Sequence, residues 1–228
     1  MDAHVPEQVG AYVNLGKFLF YRNYQLSSEP LRPSHVQDID LVSGLTPSEV
    51  VDNVLRTIGN WAIVATQKGD SKQVMVIFLI TAESRPAHAT QELRRLLASA
   101  EQRAEGRNLR EVIVLAPESV VAKKNLSGLV AQFNKDAGAG QRYFMYPYCK
   151  FADVVPESPQ VPRHEVVALE EAQEYMRKFH LEPGQLPKIH TRDDAAAIWC
   201  GARPGNYVRV WRISETAGSE VPILRFGV

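Results

Sequence analysis

The sequence predicts a mixed α/β protein of two domains, and three observations carry that prediction. Two β-rich apolar runs, Trp61 to Thr66 and Val74 to Thr81, flank Lys68-Gly69-Asp70-Ser71-Lys72-Gln73, which is the composition of a strand, a turn and a returning strand. Segments with helical spacing of apolar residues alternate with further strand-like runs on both sides of that hairpin. Pro156, Pro159 and Pro162 then punctuate the chain as an extended, semi-rigid linker would, dividing it into residues 1–155 and 160–228.

Along the first part, Val9, Tyr12, Val13, Leu19, Phe20 and Tyr24 predict a helix ending near Ser27 with one apolar face. Thr46-Pro47-Ser48-Glu49 supplies an N-cap, a first-turn proline and a capping-box glutamate for a second helix, which should stop near Gly59. After the hairpin, Leu93, Leu96, Leu97 and Ala100 mark a helix whose opposite face, with Arg94, Arg95, Glu101, Arg103 and Glu105, is mixed in sign and therefore solvated. Val112 to Ala116 reads as a buried strand. Pro117 opens a helix reaching about Phe133, and Gly138-Ala139-Gly140 turns the chain into the aromatic strand Tyr143-Phe144-Met145-Tyr146.

Beyond the prolines, Glu170 to Phe179 is predicted as a helix and Pro187 to His190 as a short strand. Asp193 to Cys200 follows as a helix capped by Asp193 and closed by Gly201. Two strands, Tyr207 to Ile213 and Val221 to Phe226, close the chain as a hairpin.

Composition narrows the functional classes. Of 228 residues, 45% are apolar and 23% charged, which disfavours disordered, collagen-like and coiled-coil proteins. Lys plus Arg (26) equals Asp plus Glu (26), so no global field draws the chain to nucleic acid or an anionic membrane, and any DNA contact must be local. The longest uncharged apolar run, Val74 to Ala82, falls far short of the ~20 residues of a membrane-spanning helix. The start Met1-Asp2-Ala3-His4 lacks the basic and apolar pattern of a secretory signal, so the chain is expected to reside in the cytosol or nucleus. Cys149 and Cys200 stand alone and are read as reduced, structural thiols.

Catalytic patterns are missing from the sequence. The six histidines fall singly, and neither a nucleophile elbow nor a phosphate-binding glycine loop occurs. No metal or cofactor is expected. One alternative is a metal-dependent nuclease through Asp70 and Lys72, with Asp52 completing the site; against it, Gly69-Asp70-Ser71 is ordinary turn composition. Lys123-Lys124-Asn125, near a helix start after a strand, offers two cations and backbone N–H groups to phosphate, although the residues alone favour a solvated helix face. Tyr143 to Tyr148 is read as a core strand in preference to a base-stacking platform.

The carboxy-terminal part resembles the assembly domain of the fifth subunit shared by eukaryotic RNA polymerases, a domain that archaeal polymerases carry as a small separate polypeptide. Val161-Pro162-Arg163-His164 is similar to that family's V-P-[KR]-H, and Leu186-Pro187-Lys188-Ile189 to its L-P-[RK]-I. Val208-Arg209-Val210-Trp211-Arg212-Ile213-Ser214-Glu215-Thr216-Ala217-Gly218 resembles V-K-I-I-R-x-S-E-T-[SA]-G, and Arg225 fills the family's final arginine. The sequence departs from the pattern at Asp194, displaced by one residue, at Ala195 and Leu224, and at the bulky Trp199 and Trp211.

The resemblance covers residues 161–228, while residues 1–160 agree with the eukaryotic subunit's jaw domain in length, helical start and α/β order. It implies a divergent cellular paralogue or a viral copy, without an active site of its own, that docks on the largest polymerase subunit and leans its jaw towards downstream duplex DNA. A binding module of another assembly is the alternative. The residues implied at the subunit interface are Pro187, Asp194, Gly201, Gly205, Arg212, Ser214, Glu215, Thr216 and Arg225. Those implied near DNA are Ser119, Lys123 and Lys124, because Ala116-Pro117-Glu118-Ser119 takes the place of the family's T-P-S-A-like loop. The implied location is the nucleus or nucleolus or, for a viral copy, the virion and the transcription sites of the infected cell. No membrane, small-molecule substrate or cofactor is implied.

Overall fold

The computed structural model describes residues 5–26, 61–79, 89–104, 109–137, 142–214, 216 and 218–228. The chain packs as two compact units, Met1–Asp153 and Val154–Val228. Each unit has its own sheet, and the fold is mixed α/β.

The amino-terminal sheet has five strands in the order β1 (Tyr24–Leu26), β2 (Trp61–Gln67), β3 (Gln73–Phe78), β4 (Leu109–Ala116) and β5 (Arg142–Pro147). β2 runs antiparallel to β1 and β3, and β3, β4 and β5 are parallel. Parallel strands need helical crossovers. Here α3 (Ala89–Ala104) joins β3 to β4, and α4 (Glu118–Val121) with α5 (Lys124–Asp136) joins β4 to β5. Met75, Ile77, Leu79, Val112 and Val114 bury one sheet face against Leu93, Leu97, Leu126 and Leu129 of those crossovers. The other face meets α1 (Val5–Val13) and α2 (Leu15–Tyr21): Tyr12 lies edge-on to Phe78 at 6.2 Å, and Phe18 to Phe151 at 4.8 Å. Burial on both faces explains why β3 and β4 read as unbroken apolar runs. The aromatic strand divides the same way, with Tyr143 in the crossover core and Tyr146 ringed against Phe151.

Two sequence expectations change in this unit. The first helix is interrupted at Asn14, whose amide donates to the carbonyls of Phe151 (3.1 Å) and Ala152 (2.8 Å), and it ends at Tyr21, so that Tyr24 belongs to β1. The single helix expected after Pro117 is two, broken at Ala122 and Lys123, where the extended backbone of Lys123 caps α5. The helix expected from Thr46 to Gly59, the turn Gly138-Ala139-Gly140 and Asp52 lie outside the described residues.

The carboxy-terminal sheet has four strands in the order β6 (His164–Val167), β8 (Tyr207–Ser214), β9 (Ser219–Gly227) and β7 (Lys188–Ile189). β8 is antiparallel to both β6 and β9, and β7 lies parallel to β9. Helix α6 (Leu169–Lys178) packs Ala172 and Met176 on Val167 and Leu224. Helix α7 (Ala195–Trp199) packs Ala197 on Ile189, Val208 and Val210. Two expectations are corrected. Asp194, not Asp193, caps α7: its carboxylate accepts from the Ala197 N–H at 3.0 Å, the third residue on, where a cap must reach. The proline segment is no extended linker, because Val155–Glu157 forms a 3-10 turn within the carboxy-terminal unit.

One buried ion pair pins the amino-terminal layers together. Arg22, at the end of α2, donates from Nη2 to both carboxylate oxygens of Glu111 in β4, at 2.9 and 2.7 Å. The two side chains are 5% and 1% exposed. Removing one partner of such a pair strands the other charge away from water, at a cost of about 3–5 kcal/mol, whereas replacing both by apolar groups avoids that penalty. Glu111→Ala is therefore expected to lower the unfolding free energy by about 3 kcal/mol in urea titration. The double replacement Arg22→Met/Glu111→Leu should recover most of the loss; equal losses for both variants would contradict this account.

Candidate functional site

The pairing of β8 with β9 distributes the motif residues of the carboxy-terminal unit. Side chains alternate along a strand, and directly opposed residues share a face. Val208 opposes Arg225 and Val166, Val210 opposes Ile223 and His164, and Arg212 opposes Val221. These form the α7 face. Trp211, Arg209 and Leu224 belong to the α6 face, together with Glu165 of β6 and Arg163 just before it.

On the α7 face the structure gathers Asp194, Arg212 and Arg225 around His164. Nδ1 of His164 lies 2.7 Å from the Pro162 carbonyl, an acceptor that requires the proton on that nitrogen. Burial pushes the imidazole pKa below its ordinary value; the Pro162 bond and Asp194 oppose the shift, and Arg225 and Arg212 add to it. Arg212 is exposed and Arg225 half-buried.

The remaining interface candidates lie elsewhere. Pro187 and Gly205 lie at the opposite end of the hairpin, where the Pro187 carbonyl accepts from Phe226 (2.9 Å) and Gly205 donates to the Gly227 carbonyl (2.9 Å), while Gly201 closes α7 by donating to the Ile198 carbonyl (3.1 Å). Gly201 and Gly205 adopt φ of +77° and +88°, which glycine takes at little cost. At the hairpin tip, Ser214 Oγ lies 3.3 Å from Thr216 Oγ1, and Glu215 is outside the described residues.

The α6 face holds a cluster that motif matching missed. Two guanidinium groups approach Trp211, with Arg163 at 5.8 Å and Arg209 at 5.7 Å from its ring. Arg209 in turn pairs with Glu171 of α6 and, at 3.8 Å, with Glu165; Arg163 pairs with Glu165 at 3.6 Å. Those two arginines are thus tied up by their own unit. The alternation Arg209-x-Trp211, read with Arg163 just before a neighbouring strand, was the available signal.

In the amino-terminal unit Lys123 and Lys124 stand at the start of α5, and Ser119 lies exposed in α4, so the three share the segment that follows β4. Asn125 ties that segment to α3 by donating to Thr90 Oγ1 at 2.9 Å. Asp70 and Lys72 form an ion pair at 2.6 Å within the β2–β3 turn. The Lys72 ammonium, through its hydrogen bond, holds the Asp70 carboxyl below its usual range. Among the described residues no group of three or more His, Cys, Asp or Glu side chains is placed to hold a metal ion. No described helix is long and apolar enough to cross a membrane.

Fold and site together define a two-unit α/β protein whose carboxy-terminal sheet presents two arginines beside a histidine and aliphatic side chains on one face. Comparison with known proteins identifies the family. Residues 155–223 match the family model for RNA polymerase Rpb5, C-terminal domain. The DNA-directed RNA polymerase RPB5 homolog of African swine fever virus is 30% identical over 153 residues, 67% of this chain and 72% of the viral protein. The archaeal DNA-directed RNA polymerase subunit Rpo5 is 37% identical over 65 residues in Nitrosopumilus maritimus and 43% over 61 residues in Methanocaldococcus jannaschii. Each archaeal match covers 77% of the archaeal protein but 28% and 27% of this chain, respectively. The chain belongs to the Rpb5 family of DNA-directed RNA polymerase subunits.

The His164 shift carries a stability consequence. Its pKa falls on folding, so between the folded value and the unfolded value near ~6.5 the unfolded chain binds the extra proton. The contribution of neutral His164 is fully present above about pH 6.5 and declines as the pH falls below it. His164→Gln should therefore narrow the gap between the urea midpoints at pH 7.5 and 5.5. A gap as wide as in the wild type would contradict the assignment.

Proposed function

We propose that this chain is a non-catalytic subunit of a multisubunit DNA-directed RNA polymerase. It docks on the largest subunit through residues 154–228 and forms part of the jaw around downstream DNA with its amino-terminal unit. The observation that carries the reading is the Rpb5-family match over residues 155–223, extended by a viral relative whose similarity covers 67% of the chain. The equal counts of acidic and basic residues suit a subunit whose main partner is protein.

Docking uses Arg212, Arg225 and Asp194 on the α7 face, Ser214, Glu215 and Thr216 at the hairpin tip, and Gly201 together with the Pro187 and Gly205 end of the sheet. An arginine desolvated in such a contact is typically worth about 2 kcal/mol or more. Ser119, Lys123 and Lys124 lie nearest the duplex. Two lysines neutralise about two phosphates, a salt slope near ~2, so contact depends on the polymerase holding the DNA close. The work of the chain is therefore done where its polymerase transcribes, in the nucleus or nucleolus or, for a viral copy, at viral transcription sites and in the virion.

The test is purification of the assembled enzyme through a tag on this chain, followed by photocrosslinking to a downstream duplex. The reading expects both large polymerase subunits in the eluate and a crosslink from this chain to DNA that Lys123→Ala/Lys124→Ala weakens severalfold. An eluate without large polymerase subunits would refute the docking. Crosslinking unchanged by the double substitution would return the lysines to the role of a solvated helix face.

A further inference from the structure

The four arginines on the central strands of the carboxy-terminal sheet and its β6 approach are not equivalent. On the α6 face, Arg163 and Arg209 pair with Glu165 and Glu171. On the α7 face, Arg212 and Arg225 have no ion-pair partner among the described residues, and Nε of Arg225 is buried without a hydrogen-bond acceptor. Asp194, the carboxylate that acts on His164 at this face, already accepts from the Ala197 N–H as the cap of α7. His164 lies between the two arginines and supplies no negative charge in either protonation state.

A half-buried guanidinium without an acceptor is costly, and a protein keeps one where something else brings the acceptor. The surroundings of the two arginines point to a protein as that partner. Val166 (37% exposed) stands in the cross-strand row of Arg225, and Val221 (36%) in the row of Arg212. Arginines interleaved with exposed aliphatic side chains on a rigid sheet are the composition of a protein-contact centre. Arginine, moreover, has the planar fork that fits carboxylates in pairs.

We infer that the partner seated on the α7 face is an acidic segment of the largest polymerase subunit, which places Asp or Glu carboxylates against Arg212 and Arg225 and apolar side chains against Val166 and Val221. This rests on the docking reading above and adds the face and the chemistry of its partner. It also assigns the opposite face, with Trp211 beside Arg163 and Arg209, no part in that contact.

Tagged variants of the full chain test the inference by recovery of the largest subunit. Arg212→Glu and Arg225→Glu should each lower recovery at least tenfold, and Arg212→Gln less. Arg163→Glu, a charge reversal on the α6 face, should leave recovery unchanged. Because Arg225→Glu could unfold the half-buried site, the exposed Arg212 supports a second readout. Arg212→Lys in the assembled enzyme, treated with a carbodiimide, should form an amide between position 212 and an Asp or Glu of the largest subunit. Full recovery with Arg212→Glu, or a position-212 crosslink confined to other subunits, overturns the inference while leaving the docking intact. Failure of the wild-type chain to recover any large polymerase subunit overturns the docking and the inference together.

Discussion

Everything distinctive in the carboxy-terminal unit depends on the antiparallel pairing of β8 with β9, an unbroken register from Tyr207 opposite Phe226 to Ser214 opposite Ser219. This register decides which side chains share a face. A slip of β8 by one residue would send Val208 and Val210 to the α6 side and bring Trp211 against α7, while Leu224 and Arg225 of β9 kept their faces. Two helices lock it in place: α7 packs Ala197 on its face, and α6 fills the other with Ala172 and Met176. The short β6 and β7 then complete the sheet on either side. With both faces covered by helices, the hairpin tip still carries Ile213 at 79% exposure. The sheet is thus a buried platform at one end and a presented surface at the other.

That division matches how the relatives share the chain. The archaeal proteins match over about 65 residues that make up most of their own length, whereas the viral relative's match is far longer. The family model matches residues 155–223, which hold most of the small sheet and its two helices, and the five-stranded unit has its own core and its own buried lock, Arg22 on Glu111. Separate cores let the two parts change independently. Substitution in one need not disturb packing in the other, consistent with motif density that is high after residue 160 and low before it.

Much of this was legible in the sequence where the signal was local. Alternation along Tyr207 to Ile213 and Val221 to Phe226, broken by Ser-Glu-Thr-Ala-Gly, reads directly as the observed hairpin. The Trp61 and Val74 runs likewise pair antiparallel across their turn. What escaped was set by distant partners or small margins. Asn14 looks like an ordinary helical position until its amide finds the carbonyls of Phe151 and Ala152, far along the chain. Asp193 and Asp194 are equally good caps by composition, and only the bond to Ala197 chooses between them. The break before Lys124 has neither glycine nor proline to announce it. Motif matching picked out Arg212 and Arg225 one by one, but the contrast between paired and unpaired arginines needs the register of three strands.

The central claim is that the carboxy-terminal unit seats this chain on the largest polymerase subunit and leaves the amino-terminal unit to meet downstream DNA. Electron cryo-microscopy of the polymerase purified from its own cells with a downstream duplex bound tests it most directly. The account predicts density for residues 154–228 on the largest subunit, the α7 face inward, and density for the amino-terminal unit beside the duplex with the Ser119 to Lys124 segment towards it. A map in which residues 5–137 make the contact with the largest subunit while the carboxy-terminal sheet stands free would contradict it.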